Sequence, residues 1–354
     1  MADDTQKPQG ALRRAVRALS PAYFTVILLL TGVWFAVTFF GDPQAGMASV
    51  KITVAPPVAV AAKKTEEAAK PAPPAKTEPA APPKDGLIEQ TAQGPLPRIA
   101  ADGTTPMQAY AGVAPAGKEP RIAIIVGGFG INPKASLNAL TLLPAGVTFA
   151  FIPYAFGADQ MAMVAHQKGH EILVQIPMEP YDYPDNDAGP YTLRTSSDDV
   201  SNMQRLVWVL TRMGGYTGAM PLMGEKFLTD PSSISPVLSF LARRGLLFID
   251  NHAGRGGASG VAAGKAGTAY GHADVAIDDV PDATAIDRQL AELEKIARAK
   301  GRAIGYARLY PVTIDRISRW QETLAAKGVV LAPASAVVSA PKPVSSPSVA
   351  KASK

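Results

Sequence analysis

The sequence predicts an α/β domain in which the strands of a parallel sheet alternate with helices. Short runs rich in β-branched and aromatic residues recur between residues 119 and 338, and longer amphipathic stretches separate them. This alternation is typical of βα units, whose strands pair in parallel. About seven or eight units follow one another without a break in composition, which favours a closed or nearly closed β/α barrel over an open sheet.

The predicted strands are short apolar runs bounded by glycine, proline or polar residues. They are 122–126, 147–152, 171–176, 246–250, 275–278, 303–307 and 329–332, with a weaker run at 217–220. Between them, Asn132 and Pro133 are a suitable cap and first residue for a helix that reaches residue 142. The stretches 197–213 and 283–299 place apolar side chains on one helical face, which we expect to pack on the sheet.

An uncharged apolar segment, residues 23–40, is long enough to cross the hydrocarbon layer of a membrane. Three arginines lie just before it and Asp42 follows it, so the positive-inside rule places residues 1–22 in the cytoplasm. A cleaved signal peptide is the alternative, with the small residues at 45–48 as its cleavage site. We expect a single-pass protein of a bacterial inner membrane, with its C-terminal domain in the periplasm.

The segments on either side of the domain have the composition of disordered chain. Residues 41–118 are dominated by Ala, Pro, Lys and Glu, which bury too little apolar surface to offset the entropy of ordering, and residues 339–354 are similar. We therefore predict a linker, a folded domain at 119–338, and a disordered tail. The net charge of +5 arises largely in these flanking segments, so we expect no nucleic-acid partner. The absence of cysteine excludes disulfides and thiolate chemistry.

Three motifs follow one another along the domain: FIPYA at 151–155, GHE at 169–171 and PMEP at 177–180. With the flanking runs IAIIVGGFG, GLLFID and AIGYARLYPVTI, their order resembles the divergent polysaccharide deacetylase family, a branch of the NodB-like carbohydrate esterases. The resemblance covers nearly the whole domain. It implies a deformed seven-stranded (β/α) barrel and a role in carbohydrate metabolism of the cell envelope.

The resemblance also implies a metal site that this chain lacks at the matching positions. Enzymes of the wider superfamily hold a divalent metal through an aspartate and two histidines, and a second aspartate is the general base. The aspartate pair that ends the first strand corresponds to Gly127 and Gly128, and two family histidines correspond to Gln175 and Leu222. The last strand ends in Arg308 in place of another histidine. We therefore expect a catalytically degenerate site with no cofactor.

Other residues could line a sugar cleft or rebuild a metal site. Carboxylates beside aromatic rings are typical of saccharide sites, because the rings stack on pyranose faces. The expected substrate-binding residues are Glu179, Tyr181, Tyr183, Glu225, Asp250 and Arg308, and Asp250 and Glu179 are also the catalytic candidates. The metal candidates, for zinc, are His252, His272 and Asp274. Structural alternatives are an exposed loop for the tyrosines and a cap or an ion pair for Asp250.

The sequence thus favours a membrane-anchored periplasmic protein whose degenerate deacetylase domain binds envelope glycan or an envelope protein. One alternative is an active metal-dependent deacetylase that hydrolyses the C–N bond of N-acetylated glycan at a rebuilt site. Another is a non-catalytic envelope scaffold. In each case we expect residues 23–40 to anchor the protein in the inner membrane.

Overall fold

The computed structural model describes residues 86–252 and 257–338, which contain a curled parallel sheet with helices on its outside. A hairpin and a short helix precede the sheet: β1 (Ile88–Thr91), β2 (Gly94–Pro97) and α1 (Pro106–Ala109). The sheet strands are β3 (Arg121–Phe129), β4 (Thr148–Phe151), β5 (Ile172–Met178), β6 (Gly218–Met223), β7 (Leu247–Asp250), β8 (Tyr270–His272), β9 (Val275–Ala276), β10 (Arg302–Arg308) and β11 (Val330–Leu331). The helices that follow are α2 (Pro133–Leu142), α3 (Ala158–Gln167), α4 (Asp199–Leu210), α5 (Pro231–Arg243), α6 (Ala258–Ala266), α7 (Ala283–Lys300) and α8 (Pro311–Gln321).

The strands form a curled parallel half-barrel, which we call the barrel. It runs β8-β7-β6-β5-β4-β3-β10-β9 with every pair parallel, and β11 pairs with β3. The two ends of this order, β8 and β9, are separated in the chain only by Ala273 and Asp274. The amide of Ala273 donates to the carbonyl of Asp250 on β7 at 2.7 Å, and that of Asp274 donates to Ile304 on β10 at 2.8 Å. The predicted α/β fold with a curled parallel sheet is confirmed, and each predicted strand has a counterpart, but the sheet has nine strands where seven were expected.

The interior of the barrel is filled by small and medium apolar side chains. They include Ala123, Ile125, Ala150, Leu173, Met220, Leu247, Ile249 and Ile304, all buried. The chain after β11 closes the amino end of the barrel: Ala332, Ala334 and Val337 pack on the same cluster, and the Ala334 amide donates to the Thr148 hydroxyl at 3.0 Å. Space for a ligand is therefore left at the carboxyl ends of the strands.

Residues 86–118 correct the predicted linker, because they form the hairpin and helix that pack on the barrel. Leu87 and Leu96 are almost completely buried. The Arg212 guanidinium donates to the Gln93 carbonyl at 2.6 Å, and Arg244 pairs with Glu89 and donates to the Pro97 carbonyl. The prediction was wrong because it rested on the Pro- and Ala-rich composition. The burial of two leucines offsets the entropic cost of ordering this short segment.

The remaining linker, the predicted membrane segment 23–40 and the predicted tail 339–354 lie outside the described residues. Within 86–252 and 257–338, none of the helices has the length and apolar character needed to cross a membrane.

Glu171 connects the two segments that flank the barrel. It is fully buried just before β5, and its carboxylate accepts hydrogen bonds from the amides of Gly112 at 3.1 Å and Ser335 at 2.9 Å, and from the Ser335 hydroxyl. Burial raises the pKa of Glu171, although the hydrogen bonds from Ser335 and Gly112 oppose this rise. One carboxylate therefore fixes both segments on the amino end of the barrel.

Replacing Glu171 by alanine should lower the free energy of unfolding by about 2 kcal/mol, because two part-buried amides lose their buried acceptor. Urea unfolding followed by circular dichroism measures the change. The matched control is Glu322→Ala, which removes an exposed glutamate and should change stability by less than about 0.5 kcal/mol. Equal stabilities of the two variants would show that Glu171 is not a structural connection.

Candidate functional site

A cavity of about 600 Å³ opens at the carboxyl ends of the strands. Its wall is formed by the ends of β3, β5, β6, β9 and β10, together with the loops that follow β3, β6, β7, β9 and β10. In β/α barrels this end carries the functional residues, because loops there can vary while the strands hold their positions. The cavity is therefore the candidate site.

Neutral polar groups form the floor of the cavity. Gln175 on β5 accepts a hydrogen bond from the Gly128 amide through Oε1 at 2.7 Å, and its Nε2 has no hydrogen-bond partner among the described residues. Asn251 donates from Nδ2 to the Pro221 carbonyl at 3.4 Å, and its Oδ1 likewise has none within the described part of the chain. Tyr306 lies next to both β3 and Asn251. The floor thus offers one unpaired donor and one unpaired acceptor.

The side chain of His252 lies between two carboxylates on the wall of the cavity. Its Nδ1 is 3.1 Å from Oδ1 of Asp250, and its Nε2 is 3.4 Å from Oε1 of Glu225. Asp250 is buried beneath it and also accepts hydrogen bonds from the His252 amide at 2.9 Å and from the Ser259 hydroxyl at 2.6 Å. Both ring nitrogens of His252 therefore face an acceptor.

This arrangement keeps the imidazole protonated at neutral pH. Burial alone would lower the pKa of His252, but hydrogen bonds to Asp250 and Glu225 and the charges of both carboxylates raise it to about 9. The hydrogen bond from His252 in turn lowers the pKa of Glu225, against the effect of burial. The wall therefore carries one imidazolium between two carboxylates.

A left-handed turn after β6 brings Glu225 to His252. Met223 has φ of 59° and Gly224 has φ of 103°. A left-handed conformation at methionine is unfavourable and is retained mainly where the surroundings impose it, often at functional sites. At residue 224 an added Cβ would lie 2.8 Å from Cβ of Met178, so only glycine fits. The turn places the side chain of Glu225 in the lining of the cavity and that of Lys226 outside it.

Arg308 at the end of β10 is the second cation of the cavity. Its backbone amide donates to the carboxylate of Asp278 at 2.8 Å, and its guanidinium donates to the Asp278 carbonyl at 3.2 Å and lies 3.5 Å from Asp279. Asp278 is buried, which raises its pKa, whereas Asp279 is exposed at the cavity. The two cations of the site thus each have carboxylates beside them, so the cavity offers no unpaired positive charge to an anionic ligand.

Exposed apolar side chains lie on the loops that follow four adjacent strands, and two of them, Ile131 and Tyr310, line the cavity. Ile131, Phe156, Val280 and Tyr310 are 65%, 100%, 62% and 40% exposed, and we call them the apolar rim. They lie on the loops after β3, β4, β9 and β10, which are adjacent in the sheet. Exposed apolar patches beside a cavity commonly mark binding surfaces. The opposite side, after β6 and β7, carries Glu225, Asn251 and His252.

Two of the predicted substrate-binding residues, Glu225 and Arg308, line this cavity, and so does the metal candidate His252. Asp250 does not line it, but its carboxylate positions His252.

Glu179, a predicted catalytic and substrate-binding residue, does not line the cavity. Glu179 is buried, with 3% of its surface exposed. Its carboxylate accepts hydrogen bonds from the amide and the hydroxyl of Thr195, at 2.6 and 2.8 Å, and from Lys226 at 2.8 Å. Because both of its carboxylate oxygens hold neighbouring residues, Glu179 fixes the loop after β5. Tyr181 and Tyr183 are on that loop and also lie outside the cavity lining.

The predicted metal candidates are not brought together. His272 and Asp274 line a separate cavity of about 250 Å³ with Arg302, at the amino end of β10. Asp274 pairs there with Lys300 at 2.9 Å and accepts from the Ile304 amide at 3.0 Å. The described residues contain no group of three His, Asp or Glu side chains that could hold a metal ion.

The positions that match the family's metal ligands also do not fit a metal. An added Cβ at Gly127 would lie 2.8 Å from the Tyr306 hydroxyl and 3.2 Å from Nε2 of Gln175, so the Tyr306 side chain occupies the space that an aspartate needs. Gln175 and Leu222 supply no imidazole, and both ring nitrogens of His252 face carboxylates. This donor set does not fit a divalent metal.

The sequence profile of the divergent polysaccharide deacetylase family matches residues 124–338. The uncharacterized protein YibQ of Escherichia coli K12 is 25% identical over 194 residues, which cover 55% of this chain and 60% of that protein, so the chain spans about three fifths of its length. An uncharacterized protein of Haemophilus influenzae is 24% identical over 55% of this chain and 69% of its own length. The crystal structure of the uncharacterized protein ATU2773 from Agrobacterium tumefaciens C58 matches with a TM-score of 0.68 and 36% identity, over 69% of this chain and all of that one. The chain therefore belongs to the divergent polysaccharide deacetylase family.

Proposed function

We propose that this domain binds neutral saccharide chains of the bacterial cell envelope in the carboxyl-end cavity and does not hydrolyse them. The observation that carries the proposal is the composition of that cavity, which has an apolar rim on one side and a neutral polar floor. A pyranose ring has apolar faces and a polar edge, so rings can stack on the rim while hydroxyl groups meet the floor. The carboxylates beside His252 and Arg308 favour a neutral ligand over an anion.

The chemistry of the wall supports binding without turnover. Hydrolysis of an acetamido group needs a polarised carbonyl and an activated water, which a general base must deprotonate. His252 is protonated at neutral pH and cannot accept a proton, and Glu225 already accepts from it. Asp250 is buried behind His252. None of these groups is available as the base.

The cellular setting of the proposal follows from the flanking sequence. The apolar segment 23–40 would anchor the chain in the inner membrane, and the Pro- and Ala-rich segment after it would hold the domain in the periplasm. An envelope protein would be the partner if the domain is a scaffold with no saccharide affinity.

Calorimetry and an acetate-release assay on the full chain distinguish these functions. Calorimetry measures the binding of chitotetraose, cellotetraose and a soluble peptidoglycan fragment. Acetate is measured after the chain is incubated with chitotetraose and about 100 µM zinc. We expect binding of at least one saccharide and no acetate. Acetate release above that of a heat-denatured sample would support the active deacetylase instead. Absence of both would support the scaffold.

A further inference from the structure

We infer that the amide nitrogen of Gln175 and the amide oxygen of Asn251 form an anchoring subsite for one neutral group of the ligand, with no metal between them. The group must accept one hydrogen bond and donate another, as a hydroxyl or a secondary amide does. The inference rests on the proposed function, because it names the part of the cavity that holds the saccharide.

The orientation of the Gln175 amide is fixed by the backbone. The Gly128 N–H can donate only to the oxygen of the side-chain amide, and it lies 2.7 Å from Oε1. The NH₂ group is therefore the end without a partner within the described residues. Gln175 is 0% exposed, and a buried donor left unpaired is unfavourable. A ligand acceptor that reached it would recover part of this cost.

Asn251 supplies the complementary group. Its NH₂ donates to the Pro221 carbonyl at 3.4 Å, which leaves Oδ1 as the buried acceptor without a partner in the described part of the chain. Asn251 and Gln175 line the same cavity, from β7 and β5 respectively. The cavity therefore offers one donor and one acceptor, which together can bind a ligand group that both accepts and donates a hydrogen bond.

Glycine at position 127 makes room for this floor. Its hydrogen leaves space for the Tyr306 hydroxyl and Nε2 of Gln175, which lie 2.8 and 3.2 Å from where a Cβ would be. Both groups therefore border the part of the cavity beside Gly127. A ligand group held there would meet neutral dipoles, because His252 and Arg308 are already paired with carboxylates.

Two substitutions on the full chain separate the donor from the acceptor. Gln175→Glu keeps an oxygen for the Gly128 amide and, as the carboxylate, has no donor, whereas Asn251→Leu removes the acceptor at similar volume. Each should weaken the binding of cellotetraose or chitotetraose about tenfold, the effect of one neutral hydrogen bond. The controls Gln160→Glu and Asn138→Leu make the same chemical changes at exposed helical positions and should bind as the unaltered chain does.

The two saccharides distinguish the sources of the ligand group. If only chitotetraose loses affinity in the variants, the anchored group is the acetamido; a loss with cellotetraose assigns it to a hydroxyl. Affinities must be equal in 1 mM EDTA and in added zinc at about 100 µM. Unchanged affinity of both variants, or loss of binding in EDTA, would overturn the subsite while saccharide binding itself stood. No binding of either saccharide to the unaltered chain would remove the proposed function together with the subsite.

Discussion

Between pH 6.5 and pH 9 the free energy of unfolding should fall by up to about 3 kcal/mol through the titration of His252. The pKa of this histidine is raised to about 9 in the folded protein, from 6.5 in the unfolded chain. The folded state therefore binds the proton more tightly, so its contribution is complete below pH 6.5 and is lost as the pH rises through 9. Urea unfolding at a series of pH values measures the loss.

His252→Gln isolates this contribution, because glutamine can still donate to Asp250 or Glu225 but does not titrate. The difference in stability between the unaltered chain and the variant should shrink from pH 6.5 to pH 9. Asp250 and Glu225 stay ionised throughout, since the pKa of each is lowered against the effect of burial. Burial and the charge of Asp250 raise the pKa of Tyr270, so it remains protonated. A difference that does not vary with pH would show that the imidazole is not held between charged carboxylates.

Restoring aspartates at the end of β3 should destabilise the protein by about 3 kcal/mol and should not create a metal site. In Gly127→Asp/Gly128→Asp, the first Cβ meets the Tyr306 hydroxyl at 2.8 Å, and the second residue must adopt φ of 85°. Overpacking costs about 1–3 kcal/mol and a left-handed non-glycine residue about 1–2 kcal/mol. Thermal and urea unfolding give the stability, and zinc titration tests for metal.

The matched control is Gly103→Asp/Gly214→Asp. Gly103 has φ of 86°, and an added Cβ meets nothing within 4 Å at either position. The control therefore adds the same two charges and the same backbone strain without the contact with Tyr306, and should cost only about 1 kcal/mol. Equal costs for the two double variants would mean that Tyr306 moves aside freely. Tight zinc binding by Gly127→Asp/Gly128→Asp would show that two aspartates at these positions are enough to create a metal site.

The sequence predicted most of the barrel because parallel strands buried on both faces are continuous apolar runs. The runs at 122–126, 171–176 and 303–307 match β3, β5 and β10 closely. Strand β8 was missed because Tyr270–His272 is three residues long and follows a glycine-rich stretch. The hairpin β1–β2 was missed because its composition is that of the linker, and only its contacts with Arg212 and Arg244 distinguish it.

The site was predicted less completely, because sequence shows which residues follow strands but not which face they occupy. Glu225 and Arg308 line the cavity, whereas Glu179 faces Thr195 and Lys226, and Asp250 lies behind His252. The two amides of the cavity floor could not be predicted from the sequence, because neither residue type signals a site by itself. Gln175 was noted only as a replaced histidine, and neutral amides have no motif; their significance comes from the partners they lack in the fold.

Metal affinity of the full chain tests the central claim most directly, which is that this member of the family has a metal-free cavity. Zinc, nickel, cobalt and manganese are titrated separately by calorimetry, and the metal retained after gel filtration is measured by plasma mass spectrometry. The account predicts no tight binding, and the same result for the chain and for its His252→Ala variant. One retained equivalent of metal that is lost in His252→Ala would contradict it.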